Sequence, residues 1–148
     1  MLGWYFEDFA PGTQVDTPAR TVTESDVVAF AGLSGDYNPL HVDREYAAGT
    51  QWGEPIAHGL LGLTITSGLL HQINIINGTI IAFMELAWRF TAPVKFGDTI
   101  RAQLRVLECR ETSKPDRGVV RLEFQVRKQG GELVQEGTFT LLMRCRPA

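Results

Sequence analysis

Cysteine is scarce in this sequence and long basic runs are missing from it, and each absence excludes a class of protein. The only cysteines are Cys109 and Cys145, without a CxxC pair or a histidine at ligand spacing. This pattern indicates neither a zinc site nor a disulfide framework, so we expect no metal and two buried or inert thiols. The net charge of −3 comes from acidic and basic residues that are mixed along the chain. Without a basic block the chain lacks the electrostatic footprint of nucleic-acid binding, and we expect no nucleic-acid partner.

Signatures of several well-known enzyme classes are also missing. The sequence has no GxSxG elbow, no Walker-type phosphate loop, no GxGxxG and no HExxH. Serine hydrolases, nucleotide-binding enzymes and zinc proteases therefore lack their usual motifs here. The first residues lack the basic and apolar regions of a secretory signal, so we expect a cytoplasmic protein. With 148 residues we expect one domain over residues 1–148.

Charged residues are absent between Pro55 and Met84. That length could nominally span a bilayer. Polar side chains interrupt it, however, among them His58, Ser67 and Asn74. A buried helix followed by a core strand is therefore the better interpretation, and we expect no membrane partner.

Helix signals occupy the N-terminal half of the chain. Thr23 begins a capping box, and apolar residues follow at helical spacing, which predicts a short helix that ends near Gly35. Asp43 predicts another short helix that stops at Gly49. The run 59–73 is apolar nearly all round, as a helix surrounded by a sheet requires. We interpret this run as a central helix.

From Thr79 onward the pattern is that of β-strands. Apolar and polar residues alternate over 100–106 and over 120–126, so each run predicts a strand with one wet face. Gly130-Gly131 predicts a hairpin turn before a strand over 133–143. Helices followed by long antiparallel strands are typical of an α+β fold.

The segment from Phe30 to Ala47 contains two groups that can transfer protons. Asp36 and His41 lie close together in the run GDYNPLH. Gly35 can adopt the positive φ that ends a helix, and Pro39 favours an extended residue before it, so the backbone between the two groups must turn. An acid and an imidazole can then face one cavity, where one takes a proton and the other delivers one. Such a pair suits the addition of water to a carbon framework, or its removal.

This motif is similar to the signature of the MaoC-like family of (R)-specific enoyl-coenzyme A hydratases and dehydratases. The matching residues are Gly35, Asp36, Asn38, Pro39, Leu40 and His41, with His58-Gly59, Ser67-Gly68, Pro93-Val94 and Gly97-Asp98 further along the chain. The resemblance implies a hot-dog fold, in which a curved antiparallel sheet wraps around one long central helix. It also implies a working unit of at least a dimer, so we expect a homodimer or a higher homo-oligomer.

The resemblance further implies roles for individual residues. Asp36 and His41 would be the catalytic pair, and the backbone N–H of Gly59 would bind the thioester oxygen. The first N–H groups of a helix have no internal partner and carry the positive end of its dipole, which suits that role. We expect Asn38 to brace the turn or orient His41. Ser67 lies about two helical turns after Gly59, so we expect it on the inner side of the helix near the pair, with a bond back within its own helix as the alternative.

Other polar residues have simpler explanations. We interpret His58 as a structural hydrogen-bonding residue and Asp98 as a turn residue after a glycine. Arg89, Lys95 and Arg101 could meet the phosphates of coenzyme A, but solvated strand faces routinely carry such charges.

The activity that the resemblance implies is the reversible addition of water to a trans-2-enoyl thioester, which gives the (3R)-hydroxyacyl product. No cofactor is expected apart from the coenzyme A of the substrate, which we favour over acyl carrier protein. Two alternatives stay open, namely a hot-dog thioesterase and a non-catalytic acyl-binding subunit. The acyl chain length, and which of Asp36 and His41 is the base, do not follow from the sequence, because groups so close can titrate as a unit.

Overall fold

A computed structural model describes residues 1–147 of the chain. They form one antiparallel sheet with helices, which confirms the predicted α+β class. In chain order the elements are a 3-10 turn at Phe6–Asp8, β1 (Gln14–Asp16), β2 (Arg20–Thr21), α1 (Glu24–Ser34), α2 (Pro39–Val42), α3 (Arg44–Ala48), α4 (Gly59–Gln72), β3 (Ile80–Phe90), β4 (Thr99–Glu111), β5 (Arg117–Lys128) and β6 (Leu133–Arg144). The strand order is β1-β4-β5-β6-β3, and β2 also pairs with β4.

Strands β4 and β5 follow the alternation of the sequence. Their inward side chains are fully or almost fully buried, namely Ile100, Ala102, Leu104 and Val106 on β4 and Val120, Leu122, Phe124 and Val126 on β5. Gly130 and Gly131 turn the chain between β5 and β6 with φ angles of 85° and 92°, values at which only glycine is unstrained. The predicted strands and hairpin are therefore confirmed.

The central helix α4 packs one face against this sheet. Leu61, Ile65 and Leu69 belong to the same apolar cluster as the inward side chains of β4, β5 and β6. Burial of each such side chain contributes about 1.5–3 kcal/mol. The opposite face is exposed, and it carries Leu60, Thr64, Ser67, Gly68 and His71. The sheet thus wraps one side of the predicted central helix and, in the single chain, leaves the other side exposed.

Strand β3 is the edge of the sheet, not a core strand as the sequence suggested. It pairs with β6 on one side and has no strand on the other within residues 1–147. Six of its central residues in succession, Ala82 to Ala87, are exposed, including Phe83, Met84 and Leu86. The apolar composition of β3 misled the sequence interpretation, because composition does not show how many neighbours a strand has.

The helices α1, α2 and α3 each begin with a side-chain cap. Thr23 and Asp26 form the predicted capping box of α1, in which each side chain accepts the other residue's N–H. The short helix α2 was not predicted, since Pro39 was expected to prevent a helix from continuing. Proline is tolerated at the first position of a new helix, where its missing N–H would have no partner in any case. Asp43 caps α3 as predicted.

Within residues 1–147, no helix combines the length and the apolar character that crossing a bilayer requires.

Candidate active site

Asp36 lies in the turn between α1 and α2. Helix α1 ends at Gly35, whose left-handed φ of 78° would strain any other residue. The N–H of Asp36 donates to Ser34 Oγ, and the Asp36 carboxylate accepts the N–H of Asn38, both at 3.2 Å. The Asp36 side chain is 51% exposed in the single chain. Local hydrogen bonds thus shape the turn, and they leave the carboxylate at its surface.

His41 lies half-buried on α2. Its Nδ1 is 2.7 Å from the carbonyl oxygen of Ile56, in the segment that leads into α4. A carbonyl oxygen can only accept, so Nδ1 carries a hydrogen and Nε2 is the ring atom left for other partners. Asn38 accepts the N–H of Leu40 at 3.1 Å and so starts α2. This hydrogen bond of Asn38 holds the backbone between Asp36 and His41.

His58 lies between Asp36 and His41. It is 3% exposed, and its Nε2 donates to the backbone oxygen of Asp36 at 2.9 Å. Its ring stacks on the ring of His41 with a centroid distance of 3.8 Å and an interplanar angle of 27°. On another side it packs against Phe30 at 4.9 Å. A residue that the sequence marked as structural therefore touches both members of the predicted pair.

The structure brings Asp36, His41 and His58 together. One polar side-chain atom of each lies within 4.8 Å of the others, so the acid and the imidazole of the motif do converge. Two histidines and a carboxylate are also a set of residue types that bind metals. In this arrangement His41 Nδ1 and His58 Nε2 each donate a hydrogen to a backbone oxygen, so neither of these two atoms offers a lone pair to a metal ion.

Gly59 begins α4 directly after His58 and lines a cavity of about 680 Å³. The other residues that line this cavity are Trp52, Ile56, Ala57, Leu60, Phe90, Thr91, Ala92, Pro93, Val94, Glu132 and Gln135. Most of these side chains are apolar. Ile56 connects the cavity to the site, since its carbonyl oxygen holds His41.

Glycine at position 59 avoids a close contact with Phe90. A Cβ there would lie 2.8 Å from the ring of Phe90, which is too close for carbon atoms. The first N–H groups of a helix have no partner within the helix, so the N–H of Gly59 has none within α4.

Gln135 is a site residue that the sequence analysis missed. It is 2% exposed, and its Nε2 donates to the carbonyl oxygen of Gly59 at 3.0 Å. Its Oε1 accepts the indole N–H of Trp88 at 2.9 Å. The side chain also fills the space beside Gly62, where an added Cβ would lie 2.3 Å from Gln135 Nε2. No signal in the sequence distinguished it, because β6 also carries Glu136, Thr138 and Thr140.

Ser67 does not lie where the sequence placed it. It is exposed on α4, whereas the inner face of the helix carries Leu61, Ile65 and Leu69. Eight residues at 100° per residue rotate Ser67 by about 80° relative to Gly59, so the two residues do not share one face. The expectation of an inner-side Ser67 is therefore wrong for the single chain.

Asp98 has the structural role that was expected. Its carboxylate accepts the N–H of Lys95 at 2.8 Å and the amide of Gln129, and it lies 3.4 Å from Lys128 Nζ. Burial raises the pKa of Asp98, but these hydrogen bonds and the Lys128 charge outweigh it and hold the pKa below its ordinary value of 3.8. The carboxylate thus ties the β3–β4 connection to the β5–β6 hairpin.

Two of the three basic residues considered for phosphate binding have acidic neighbours. Lys95 Nζ lies 2.9 Å from Glu54, and Arg89 lies 3.8 Å from Glu136. The two thiols fit an inert role, because burial raises the pKa of Cys109 and of Cys145 and so reduces the reactive thiolate.

Known proteins are similar to this chain in sequence. A family model for the MaoC like domain matches residues 7–127. An (R)-specific enoyl-CoA hydratase from Rhodospirillum rubrum is 40% identical over 142 residues, which cover 96% of this chain and 93% of the relative. Protein MaoC from Klebsiella aerogenes is 40% identical over 113 residues, which cover 76% of this chain but only 33% of that longer protein.

Solved structures agree with the predicted hot-dog fold. An unliganded R-hydratase from Pseudomonas aeruginosa is 34% identical and superposes with a TM-score of 0.81, over 98% of this chain and 88% of the other. A Mycobacterium tuberculosis protein with a double hot-dog fold superposes with a TM-score of 0.84 over 98% of this chain and 45% of the other. At 23% identity the second likeness concerns the fold alone, and it confirms the hot-dog prediction. The matched family model and the 40% identity over most of the chain together show that the chain belongs to the MaoC-like domain family.

Proposed function

We propose that this chain is a hydratase that reversibly adds water to trans-2-enoyl-CoA and gives (3R)-hydroxyacyl-CoA. The observation that carries the proposal is the convergence of Asp36 and His41 beside the N-terminus of α4. A carboxylate and an imidazole supply one proton acceptor and one proton donor. The Rhodospirillum relative, named as an (R)-specific enoyl-CoA hydratase, supports both the reaction and its stereochemistry.

The proposed reaction needs three groups of the chain. The N–H of Gly59 donates to the thioester oxygen and stabilises the negative charge that develops on it. The oxygen of a water molecule attacks the β-carbon, and the electron pair of the double bond moves toward the carbonyl to form an enolate. One member of the Asp36–His41 pair takes a proton from that water, and the other delivers a proton to the α-carbon. The products balance as one added OH and one added H.

His41 would act through Nε2. Its Nδ1 donates to the Ile56 carbonyl oxygen at 2.7 Å, which leaves Nε2 as the ring atom for the reaction. The neutral ring then presents a lone pair at Nε2, and the protonated ring presents an N–H there. Either state serves one direction of a reversible hydration. Asp36, half exposed beside it, completes the pair.

The cavity beside Gly59 would receive the acyl chain. Its walls are mainly apolar, as an acyl binding site requires, and its volume of about 680 Å³ is that of a ligand site. The charged carrier of the acyl group would remain outside this cavity. We propose coenzyme A as the carrier, following the names of the relatives, and no further cofactor takes part in the proposed steps.

The proposed working unit is a homodimer. β3 is an edge strand whose exposed side chains include Phe83, Met84, Leu86 and Phe90, with exposures from 44% to 55%. An unpaired, apolar edge is costly for a monomer and can pair with the same edge of a second copy. Such pairing would also cover Phe90 at the mouth of the cavity.

The test is a spectrophotometric assay with crotonyl-CoA and longer trans-2-enoyl-CoA esters. We expect the conjugated enoyl absorbance to fall without release of free thiol, and the product to be the (3R) alcohol by chiral analysis. A water molecule held by one pair of side chains on one side of the enoyl plane reaches a single face of the β-carbon.

Other outcomes would select the alternatives. Thiol release with the double bond intact would identify a thioesterase. If a broad panel of thioesters binds but shows neither loss of the double bond nor release of thiol, the chain is a non-catalytic acyl-binding subunit. A racemic or (3S) product would leave hydration standing and overturn the assignment of the Asp36–His41 pair as the only positioner of water.

A further inference from the structure

We propose that His58 is a positioning residue that sets the relative placement of Asp36 and His41, through its Nε2–H and through the face of its ring. It differs from the catalytic pair because it is buried at 3% exposure and acts on their positions, not on the substrate. The kinetic part of this inference rests on the proposed hydratase function.

The first contact of His58 holds the turn of Asp36. Within residues 1–147, the hydrogen bond from His58 Nε2 to the Asp36 backbone oxygen is the only one that reaches Asp36 from outside its own turn. The other two join Asp36 to Ser34 and Asn38, its near neighbours in sequence. Since the turn is exposed, this bond ties it directly to the residue that precedes α4.

The second contact orients His41. The bond from His41 Nδ1 to the Ile56 oxygen fixes one point of the ring but leaves the ring free to tilt about it. Stacking on His58, with centroids 3.8 Å apart, restricts that tilt. The two contacts together fix the direction in which His41 Nε2 points.

The cost of this arrangement supports a role beyond packing. Nδ1 of His58 is buried and has no hydrogen-bond partner among residues 1–147. A buried polar atom without a partner costs about 1–3 kcal/mol. A phenylalanine would fill the same place against Phe30 and His41 without that cost. What it could not do is donate to Asp36, and that donation is the physical reason for histidine at this position.

Two substitutions separate the two contacts. His58→Phe keeps a flat ring for stacking and loses the donor. His58→Gln keeps an amide donor near the position of Nε2 and loses the stacked ring. The control is His71→Gln, because His71 is exposed at the end of α4. Since a misplacement of 1 Å can cost up to about 10²-fold in rate, we expect each His58 variant to lose about 10-fold or more in kcat with KM changed less than about 3-fold.

A purely structural role predicts a different result. Variants that remain folded would then keep kcat within about 2-fold of the wild type and show only a lower melting temperature, which would overturn the proposal. The His71→Gln control should keep the wild-type kcat. Absence of hydration in the wild type would instead refute the proposed function, and the following measurement would still decide the role of His58.

The imidazole nitrogens report on positioning without any substrate. The chain has 3 histidines, so long-range ¹H–¹⁵N spectra of the folded protein can be fully assigned. We expect His58 as the Nε2–H form and His41 as the Nδ1–H form, with exposed His71 as the reference. In His58→Gln the His41 signals should shift or broaden as the ring gains freedom, and in His58→Phe they should change less. A wild-type His41 in the Nε2–H form, or His41 signals unchanged in His58→Gln, would overturn the proposal.

Discussion

At the scale of single residues, two backbone oxygens determine which ring nitrogens take part in the site. The Ile56 oxygen occupies Nδ1 of His41, and the Asp36 oxygen occupies Nε2 of His58. Both acceptors belong to irregular segments that precede a helix. The orientation of the imidazoles therefore depends on the backbone path of these segments.

Removal of either member of the proposed pair should abolish most turnover. We expect Asp36→Asn and His41→Gln each to lower kcat by about 10²–10⁴-fold, because each change removes a proton-transfer group with little change of volume. The measurement is the initial rate with the best enoyl-CoA, with circular dichroism to verify the fold. His71→Gln is the matched control and Ser67→Ala should be mild. Near-normal turnover of either pair variant would remove that residue from the mechanism.

The buried amide of Gln135 should contribute to stability. Gln135→Met keeps the length of the side chain but leaves the Trp88 indole N–H without its acceptor and removes the bond to the Gly59 oxygen. We expect a loss of about 1–3 kcal/mol in the free energy of unfolding, measured by urea denaturation. The control is Gln103→Met, because the Gln103 amide bonds Asp16 at the surface. A change at Gln135 no larger than in this control would show that the buried network contributes nothing.

At the scale of elements, the connection between β3 and β4 depends on one carboxylate. The Asp98 carboxylate accepts hydrogen bonds from the backbone N–H of Lys95 and from the side chain of Gln129 in the turn between β5 and β6. Val22, just after β2, donates its N–H to the Asp98 carbonyl oxygen and accepts the N–H of Gly97. Three separate parts of the chain therefore meet at this turn.

The pH dependence of stability should reflect the lowered pKa of Asp98. A carboxyl whose folded-state pKa is lowered stabilises the fold above its unfolded-state pKa, here near 3.8, and that contribution is lost as the pH falls through the folded-state value. We expect Asp98→Asn to lower the melting temperature at pH 7, and we expect this difference from the wild type to shrink as the pH falls below 3.8. Thermal unfolding between pH 2.5 and 7 measures this. A constant difference across that range would contradict the assignment.

At the scale of the whole molecule, the exposed edge strand predicts assembly. We expect sedimentation at working concentration to show a homodimer without a stable monomer, since pairing of β3 edges would bury exposed apolar side chains. Met84→Lys, at a side chain 55% exposed on β3, should shift the population toward monomer. The control Gln103→Lys adds the same charge on β4, an interior strand of the sheet. A monodisperse, active wild-type monomer would refute the proposed assembly.

The sequence by itself determined the features that depend on neighbours along the chain. The capping box at Thr23, the alternation of β4 and β5 and the glycine turn before β6 were all predicted, because cap, pleat and turn geometry are local. The pairing of Asp36 with His41 was also predicted, since only a few residues and a forced turn separate them. Similarity to the MaoC-like family then indicated the hot-dog arrangement, which local patterns alone do not specify.

Tertiary structure decided what depends on contacts between distant residues. It made β3 an edge strand, because a strand's place in a sheet depends on pairings far along the chain. It placed Ser67 on the exposed face of α4, because the sheet covers only one side of that helix. It also brought Gln135 to Gly59 and put His58 between Asp36 and His41. These contacts form only when the chain folds back on itself, and no spacing in the sequence encodes them.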